Sequence, residues 1–527
     1  MTGADPDTPR RLSRRMLLIH PVQELPRALP ALLGAFVAGS GSGRGALWSA
    51  GALAITLVFA FSRWFTTRYR VTEDRVEVRT GLLRRRVLAV SRDRVRTVDV
   101  TARAMHRLLG LARVDVGTGR SDREGGGGVR LDGLTEAEAG TLREELLHRR
   151  EQATAPAVAC VPATPVPETE LARLDPRWVR YAPFTLSGIV TVGVVVGSLA
   201  NLANETRFDP ERSGPLRRAA HRLDSAPVAP VAVVLALLAL LAVVVASTVG
   251  YALAFWNFRL TRHPGGTLHV TRGLITTRST TIEERRLYGA EISEPLLLRM
   301  VSGARLIAIA TGLRVGRGAE RGGSLLVPPA PRAEVERVAA QVIGRSAPLT
   351  CPLAEHGPRA RIRRYTRALG AWALTAATLA VVHWPAGGPA WPLVIALVLL
   401  PVAALLAADR YRSLGHAVAG SSLVVRSGSL ARRRSVLSAD GIIGWNVERS
   451  FFQRRAGLAT LTATTAAGHQ RYGVQDVDLG EALRVAEELL PGLAAPFLER
   501  RPARVRQPPA TPAAPPEEAP QARRTRG

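Results

Sequence analysis

The sequence contains no lysine, so all 71 of its basic residues are arginine. This absence excludes a Walker A loop, a Schiff base and a lysine general base. With 43 acidic residues the formal net charge is +28. Such a balance favours an anionic partner, either nucleic acid or a membrane surface.

Cysteine and histidine are also scarce. The two cysteines, Cys160 and Cys351, lie far apart in predicted linkers and predict neither a disulfide framework nor a metal cluster. The ten histidines form no H-E-x-x-H motif, and the nearest pair, His263 and His269, flanks a Pro-Gly-Gly turn. No triad or carboxylate pair stands out, so we expect no metal, no cofactor and no enzymatic activity.

Long apolar runs alternate with arginine-dense stretches, which predicts a membrane protein rather than a large soluble core. A span needs about 20 apolar residues. Six segments are candidates and form three hairpins: residues 29–40, 46–65, 181–203, 230–256, 366–384 and 391–408. The first is short, and a secretory signal peptide is its rival interpretation. We favour an uncleaved helix, because the leader before it is long for a signal peptide.

The flanks of these segments predict their orientation. Most tryptophans stand at or near the ends of the apolar runs, as an interfacial aromatic belt requires. Arginines crowd the flanks that join the soluble stretches, so the positive-inside rule places those stretches in the cytoplasm. Five arginines in the polar link 205–225 weaken this argument for the second hairpin.

A soluble stretch follows each hairpin, and the three stretches align on Gly81, Gly273 and Gly428. Each of these glycines interrupts a strand-like alternation, which predicts a β-hairpin with a structural turn glycine. About thirty residues later a second turn glycine recurs, one residue late in the middle copy. These second glycines are Gly110, Gly303 and Gly457. Each copy ends in an apparent helix, so the whole unit is a repeat.

The first copy carries a distinctive pattern. Residues 69–116 contain three motifs in succession: Y-R-V-T, then V-x-V-R-x-G-L-L-x-R-R, then R-x-x-G-L-A-x-V-x-V. This pattern resembles the bacterial pleckstrin-homology-like (PH-like), membrane-flanked domain family, and three-domain members of it are familiar. The third copy keeps the first glycine, the arginine triplet and G-L-A, whereas the second has Thr276 and Thr277 in place of arginines. The resemblance implies a small, bent antiparallel sheet with one C-terminal helix, and little about activity.

The predicted fold class is therefore an integral membrane protein with three α-helical transmembrane hairpins, each followed by a small α+β PH-like domain. The predicted division is an N-terminal arm with hairpin 1 (1–65), domain 1 (66–150), a linker (151–176), hairpin 2 (177–256), domain 2 (257–344), a linker (345–360), hairpin 3 (361–408), domain 3 (409–498) and a disordered basic tail (499–527).

Two arginine triplets follow the first turn glycines and are the candidate lipid- or phosphate-binding residues. They are Arg84, Arg85 and Arg86 in the first copy, and Arg432, Arg433 and Arg434 in the third. We expect them in a loop that faces anionic headgroups, each contributing roughly 1 kcal/mol. The alternative is a solvated hairpin whose arginines only keep the domain soluble and cytoplasmic. The threonines of the middle copy count against a ligand shared by all three.

These observations favour a binding or scaffolding protein of the cell membrane, with membrane lipids or proteins as partners and no nucleic acid. The alternative is a transport component built from the repeated helix pairs. Transport usually requires an ionisable residue well inside a span, and we find none. Ligand, oligomeric state and physiological process stay open at this stage.

Overall fold

The computed structural model describes residues 10–11, 13, 15–16, 19, 50–51, 54, 65, 68–72, 75–80, 86–92, 95, 97–117, 128–152, 168–185, 187–205, 228–313, 323–386 and 391–493. The predicted first hairpin and the predicted tail lie almost wholly outside these residues.

The three repeats share one order of elements, namely three strands, a further strand, a short helix, two more strands and a closing helix. The arm and first repeat contain β1 (Arg10–Arg11), β2 (Arg68–Val71), β3 (Arg75–Thr80), β4 (Arg86–Ser91), β5 (Thr97–Ala102), α1 (Ala104–Leu108), β6 (Leu111–Gly117), β7 (Gly128–Thr135) and α2 (Glu136–Gln152). Next come β8 (Thr169–Arg173), a 3-10 helix (Pro176–Phe184), α3 (Ser187–Glu205) and α4 (Val228–Phe255).

The second and third repeats follow the same order. The second contains β9 (Arg259–His263), β10 (Thr267–Arg272), β11 (Thr277–Glu283), β12 (Leu287–Pro295), α5 (Leu296–Met300), β13 (Gly303–Ala310), β14 (Leu325–Pro331) and α6 (Arg332–Ile343). Then come α7 (Ala347–Thr350), α8 (Gly357–Ala386) and α9 (Trp391–Arg412). The third contains β15 (Gly415–Ala419), β16 (Ser422–Ser427), β17 (Ala431–Ser438), β18 (Gly444–Glu448), α10 (Phe451–Ala456), β19 (Leu458–Thr464), β20 (Arg471–Asp478) and α11 (Leu479–Leu489).

Within each repeat the first three strands and the last three strands form two antiparallel meanders around one core. In the first repeat the core joins Val76 of the first meander, Val114 of the second and Ala139 of the closing helix. The alternation read from the sequence therefore produces PH-like antiparallel sheets closed by a helix. β8 adds a further strand beside β9, within the segment predicted to be a linker.

The repeats are joined to one another by strand pairing. β5 of the first repeat pairs with β11 of the second, and β12 of the second pairs with β17 of the third. A seven-stranded sheet and a six-stranded sheet result, each containing half of one repeat and half of the next. We call these two strand pairings the first joint and the second joint.

The two joints have the same register. Thr97 lies opposite Ile282 in the first joint, and Gly289 lies opposite Leu437 in the second. Thr97 and Gly289 are equivalent positions of the repeat, as are Ile282 and Leu437. The joint is therefore duplicated along with the unit itself.

An ion pair crosses each joint at equivalent positions. In the first joint Arg278 Nη2 lies 3.0 Å from Asp99 Oδ2. In the second, Arg433 Nε lies 3.6 Å from Glu291 Oε1, and Ser435 donates a 3.2 Å hydrogen bond to the same carboxylate. Carboxylates on the edge of one repeat thus match arginines on the edge of the next.

The second joint is also sealed by apolar packing. Val424 and Val436 of the third repeat belong to the hydrophobic core of the second, and Ile309 of the second belongs to the core of the third. A Cβ at Gly289 would overlap the carbonyl oxygen of Val436. This position needs glycine because the neighbouring strand approaches so closely.

The first turn glycines are demanded by backbone conformation. Gly273 and Gly428 have φ values of +107° and +100°. A Cβ at either glycine would overlap the carbonyl oxygen three residues later in the chain, which belongs to Thr276 in the first turn and to Ala431 in the second. Gly81 lies outside the described residues.

The predicted second turn glycine has a left-handed backbone in the first and third copies but not in the middle copy. Gly110 and Gly457 have φ values of +65° and +71° at the ends of α1 and α10. In the middle copy the left-handed residue is Ser302, with φ +55°, and not Gly303. The prediction of a turn at Gly303 was wrong. This glycine is needed for packing, because a Cβ there would crowd Leu298 and Tyr181.

Two described helices are long and apolar enough to cross a membrane, and they span Ala232–Phe255 and Trp391–Arg412. A third span results if the 3-10 helix and residues Ser187–Ser198, which meet at 58°, count as one bent span. Within the part of the chain that the structure describes, no other helix has this combination. Three complete hairpins therefore stay a prediction.

Buried histidines link helix α8 to the third repeat. His416 Nδ1 lies 3.1 Å from His356 Nε2, and His356 Nδ1 lies 2.7 Å from the carbonyl oxygen of Gln475. Burial lowers the pKa of His356 to about 4 and also lowers the pKa of His416. Asp476, Glu481 and Arg484 are the charged groups around this pair.

Replacing Gly289 by alanine is expected to open the second joint. Overpacking against the Val436 carbonyl should lower the free energy of unfolding by about 1–3 kcal/mol and speed hydrogen exchange in β17. The matched control is Gly444→Ala at the equivalent position of the third repeat, where a Cβ would lie 3.4 Å from Thr464 Oγ1. Equal destabilisation in dilute samples of both variants would contradict this account.

We expect stability to fall as the pH drops from about 6.5 to about 4. In that window histidine in the unfolded chain binds a proton, whereas the buried His356 does not. The free energy of unfolding therefore falls by roughly 1.4 kcal/mol per pH unit for a histidine buried in this way. Thermal unfolding across this range should show the loss in the wild type and a shallower slope in His356→Gln. Identical slopes would exclude the histidine pair as the cause.

Candidate anion-binding cavity

The hairpin tip of the second repeat lies against the end of an apolar helix. The amide of Gly273 donates to the carbonyl of Trp256 at 2.8 Å, and the amide of Leu274 donates to that of Leu253 at 2.9 Å. These carbonyls belong to the last turn of α4 and the residue after it, whose acceptors would otherwise have no intrahelical partner. The tip therefore lies where α4 would leave a membrane.

The third repeat has the same arrangement with side chains in place of amides. Arg426 Nη2 donates to the carbonyl of Arg412, the last residue of α9, at 3.2 Å. Arg432 Nε donates to Ser413 Oγ at 3.2 Å. The hairpin of the third repeat is thus fixed to the end of α9.

Large apolar side chains are exposed around these tips. The short helices of the first two repeats lie beside the hairpin tip of the following repeat, because Arg107 donates to the carbonyl of Leu274 and the amide of Leu296 donates to that of Leu430 at 2.7 Å. The exposed apolar residues on these short helices and tips are Met105, Leu108, Leu274, Ile275, Met300, Leu430, Phe451 and Phe452. We call these exposed side chains the apolar row.

A cavity of about 750 Å³ opens beside the hairpin of the third repeat. It lies between the start of α8, the end of α9, the turn at Gly428 and the strands β19 and β20. Its charged lining consists of Arg363, Arg364, Arg367, Arg410, Arg433 and Asp476. Five guanidinium groups and a single carboxylate make the lining strongly positive.

Asp476 organises two of the arginines. It is 2% exposed, and its carboxylate lies 2.9 Å from Arg363 Nε and 2.7 Å from Arg364 Nη2. Gln453 Nε2 donates to Asp476 Oδ1 at 2.8 Å and to Thr460 Oγ1 at 2.8 Å. Asp476 has a φ of +56°, a conformation that aspartate and asparagine tolerate better than most residues.

Two guanidinium nitrogens of cavity-lining arginines have no acceptor among the described residues. Arg363 Nη1 and Arg364 Nε are buried and make no hydrogen bond there. Arg367 and Arg410 are exposed on the cavity wall. Guanidinium groups recognise phosphate and carboxylate oxygens bidentately, so this lining is suited to an anion.

The structure places the predicted arginine triplets differently from the expected loop. Arg84 and Arg85 lie outside the described residues, and Arg86 begins β4. Arg432, Arg433 and Arg434 belong to strand β17, because the meander resumes directly after the turn and pairs with β12. The loop prediction was wrong for the third copy.

The three arginines of β17 have different partners. Arg432 pairs with Asp409 at 3.4 Å, and Arg434 donates to the carbonyls of Pro348 and Cys351 at 3.1 Å. Arg433 is the member of the triplet that lines the cavity, and it also pairs with Glu291 across the second joint. Cys351 is described as a free thiol.

Sequence reasoning missed most of the cavity. The flanking arginines that the sequence analysis used for membrane orientation include Arg363, Arg364, Arg367 and Arg410, which supply most of the positive lining. Nothing in the local sequence singled out Asp476 or Gln453. Both are brought to the cavity by tertiary packing of the third repeat.

Replacing Asp476 by asparagine should destabilise the protein and raise its affinity for anions. Asparagine keeps the left-handed backbone but leaves Arg363 and Arg364 without a counter-charge, which costs on the order of 3 kcal/mol. Added inorganic phosphate should restore part of the lost melting temperature, more than it stabilises the wild type. Asp440→Asn, a change at an exposed carboxylate outside the cavity, is the control. A phosphate effect equal in both variants would contradict the anion assignment.

Comparison with known proteins is consistent with this fold. The bacterial PH domain family matches residues 27–150 and 372–492, which contain the first and third repeats with apolar residues that precede them. The second repeat, between these ranges, has the same order of strands and helices. A search of curated proteins and a search of solved structures gave no match. Over these two ranges, the first and third repeats are similar to the bacterial PH domain family.

Proposed function

We propose that the protein is a membrane-anchored platform whose third repeat binds an anionic lipid headgroup in the arginine-lined cavity. The observation that carries the proposal is the cavity itself, with five arginines and one buried carboxylate. A bacterial PH domain fits lipid or protein binding in general, and the cavity favours lipid.

The position of the cavity supports a lipid over a soluble anion. Arg410 stands near the end of α9, a helix apolar and long enough to span a bilayer, and Arg363, Arg364 and Arg367 stand near the start of α8. Arginines at such helix ends lie at headgroup depth and extend along the apolar surface. A volume of about 750 Å³ is within the usual range for a ligand site.

The apolar row supports contact with the bilayer. Phe451 and Phe452 follow Ser450, whose hydroxyl accepts a 3.3 Å hydrogen bond from Arg363. Exposed aromatic side chains beside arginines are typical of surfaces that rest in the membrane interface. The repeats would then lie on the cytoplasmic face of the cell membrane, which agrees with the arginine-rich flanks.

Transport receives no comparable support. The parts of α4 and α9 that could span a membrane contain no aspartate, glutamate, histidine or arginine before the end of α9, where Asp409 pairs with Arg299 at 3.0 Å. Such a pair at the helix end connects α9 to the second repeat and does not mark a path through the bilayer.

Lipid binding is best tested on the full chain in detergent by native mass spectrometry with phosphatidylglycerol against phosphatidylcholine. We expect selective retention of phosphatidylglycerol. Arg367→Gln combined with Arg410→Gln should weaken it roughly 30-fold, because each arginine contributes about 1 kcal/mol at a membrane surface. These arginines are exposed, so the fold should persist.

Arg454→Gln combined with Arg455→Gln is the matched control, since it removes the same charge from exposed positions outside the cavity. A loss of equal size in the control would reduce the effect to overall charge. Equal retention of both lipids by the wild type would shift the assignment of the cavity from a lipid to a protein partner.

A further inference from the structure

Each end of the array of repeats presents a strand whose counterparts are paired elsewhere in the chain. β4 of the first repeat is equivalent to β11 and β17, which receive the preceding repeat in the two joints. β18 of the third repeat is equivalent to β5 and β12, which receive the following repeat. Within the described residues, β4 pairs with β3 alone and β18 pairs with β19 alone.

The strands β4 and β18 expose residues whose equivalents in the joints are buried. Leu88 of β4 is 40% exposed, whereas its equivalents Thr280 and Ser435 are 2% and 6% exposed. On β18, Val447 is 39% exposed and its equivalent Ile292 in β12 is 4% exposed. An apolar strand edge left in water is a template for pairing with another strand.

Gly444 of β18 occupies the position that Gly289 holds in β12. Gly289 is needed because the strand of the next repeat approaches its Cα closely. In the single chain Gly444 has neither a positive φ nor a close neighbour that would forbid a Cβ. The first joint has Thr97 at the equivalent position, so Gly444 matches the second joint in particular and would admit an equally close strand.

The arginine of the joints is kept at the first end, whereas the position of the joint carboxylates is Asn446 at the last end and the nearest carboxylate there is Glu448, two residues further on. Arg86 of β4 is equivalent to Arg278 and Arg433, the arginines whose ion pairs cross the joints. In the register of the joints Arg86 would face Glu448 of β18, and Leu88 would face Asn446. Opposite charges facing each other across a strand pair stabilise that pairing.

We propose that β18 of one chain pairs with β4 of a second copy, in the register of the two internal joints, so that the protein assembles head to tail. Both edges are supplied by the same chain, and the joint between them already exists twice within it. Such an interface is heterologous, and it gives a ring if the rotation closes or a filament if it does not. This proposal is independent of lipid binding in the cavity.

The membrane arrangement is compatible with such assembly. In the chain, α3 and α4 precede the second repeat and α8 and α9 precede the third, so a helix pair lies between the two strands of each joint. The apolar residues 29–65 precede the first repeat in the same order. A following copy would therefore enter the array as the internal repeats do.

Disulfide trapping in native membranes tests the register directly. Two differently tagged full chains would be co-expressed, both carrying Cys160→Ser and Cys351→Ser, one with Leu88→Cys and the other with Asn446→Cys. We expect a crosslink between the two tags. Asn446→Cys with Arg75→Cys on the inner strand β3 is the control and should stay uncrosslinked. Crosslinking only between two Leu88→Cys chains, or none in any combination, would overturn the proposal.

Self-association gives a second measure. In detergent, mass photometry of the wild type should show masses at multiples of the monomer that increase with concentration. Leu88→Lys should remain monomeric, because a charged edge opposes strand pairing. Leu493→Lys, at an exposed leucine after the last helix, should behave as the wild type. A wild type that stays monomeric at all concentrations would refute assembly.

Charge exchange separates a specific pairing from general damage. Glu448→Arg in every chain should reduce the multimeric fraction several-fold, and Glu448→Arg combined with Arg86→Glu should restore it. Melting temperature in dilute samples reports folding independently of assembly. Failure of the double variant to recover while both variants fold would exclude the proposed register.

Discussion

An antiparallel sheet leaves unpaired amides and carbonyls along its edges, and the arrangement of the three repeats depends on how those edges are filled. The edge of β5 is filled by β11, and the edge of β12 is filled by β17. Because the backbone groups of both partners must align, the register of one joint fixes the relative placement of two whole repeats. The ion pairs across the two joints then follow that placement.

The same strand contributes to the joint and to the cavity. β17 pairs with β12 along one edge, and its residue Arg433 both faces Glu291 and lines the cavity. The turn before it, at Gly428, forms another part of the cavity wall. Any shift in the second joint would therefore change the cavity, so the placement of the repeats and the shape of the cavity are physically coupled.

Local sequence patterns predicted the strands, turns and closing helices well, because alternation and turn glycines are short-range signals. Gly273 and Gly428 show this, with the positive φ that their place between two strands requires. Pairing between repeats is long-range, so the arginines of β17 were misread as a loop. Asp476 was missed for a similar reason, since its role arises only when α8, α10 and β20 meet. Ser302 shows a further limit, because a serine there takes the conformation expected of a neighbouring glycine.

The shared register of the joints has a consequence for how such chains change over generations. Recombination between two copies of the repeat would add or delete one complete unit, including its helix pair and one joint. The lengthened or shortened array would still have a strand of the β4 type at one edge and one of the β18 type at the other. Gene length could therefore vary by whole units without the invention of any new contact surface.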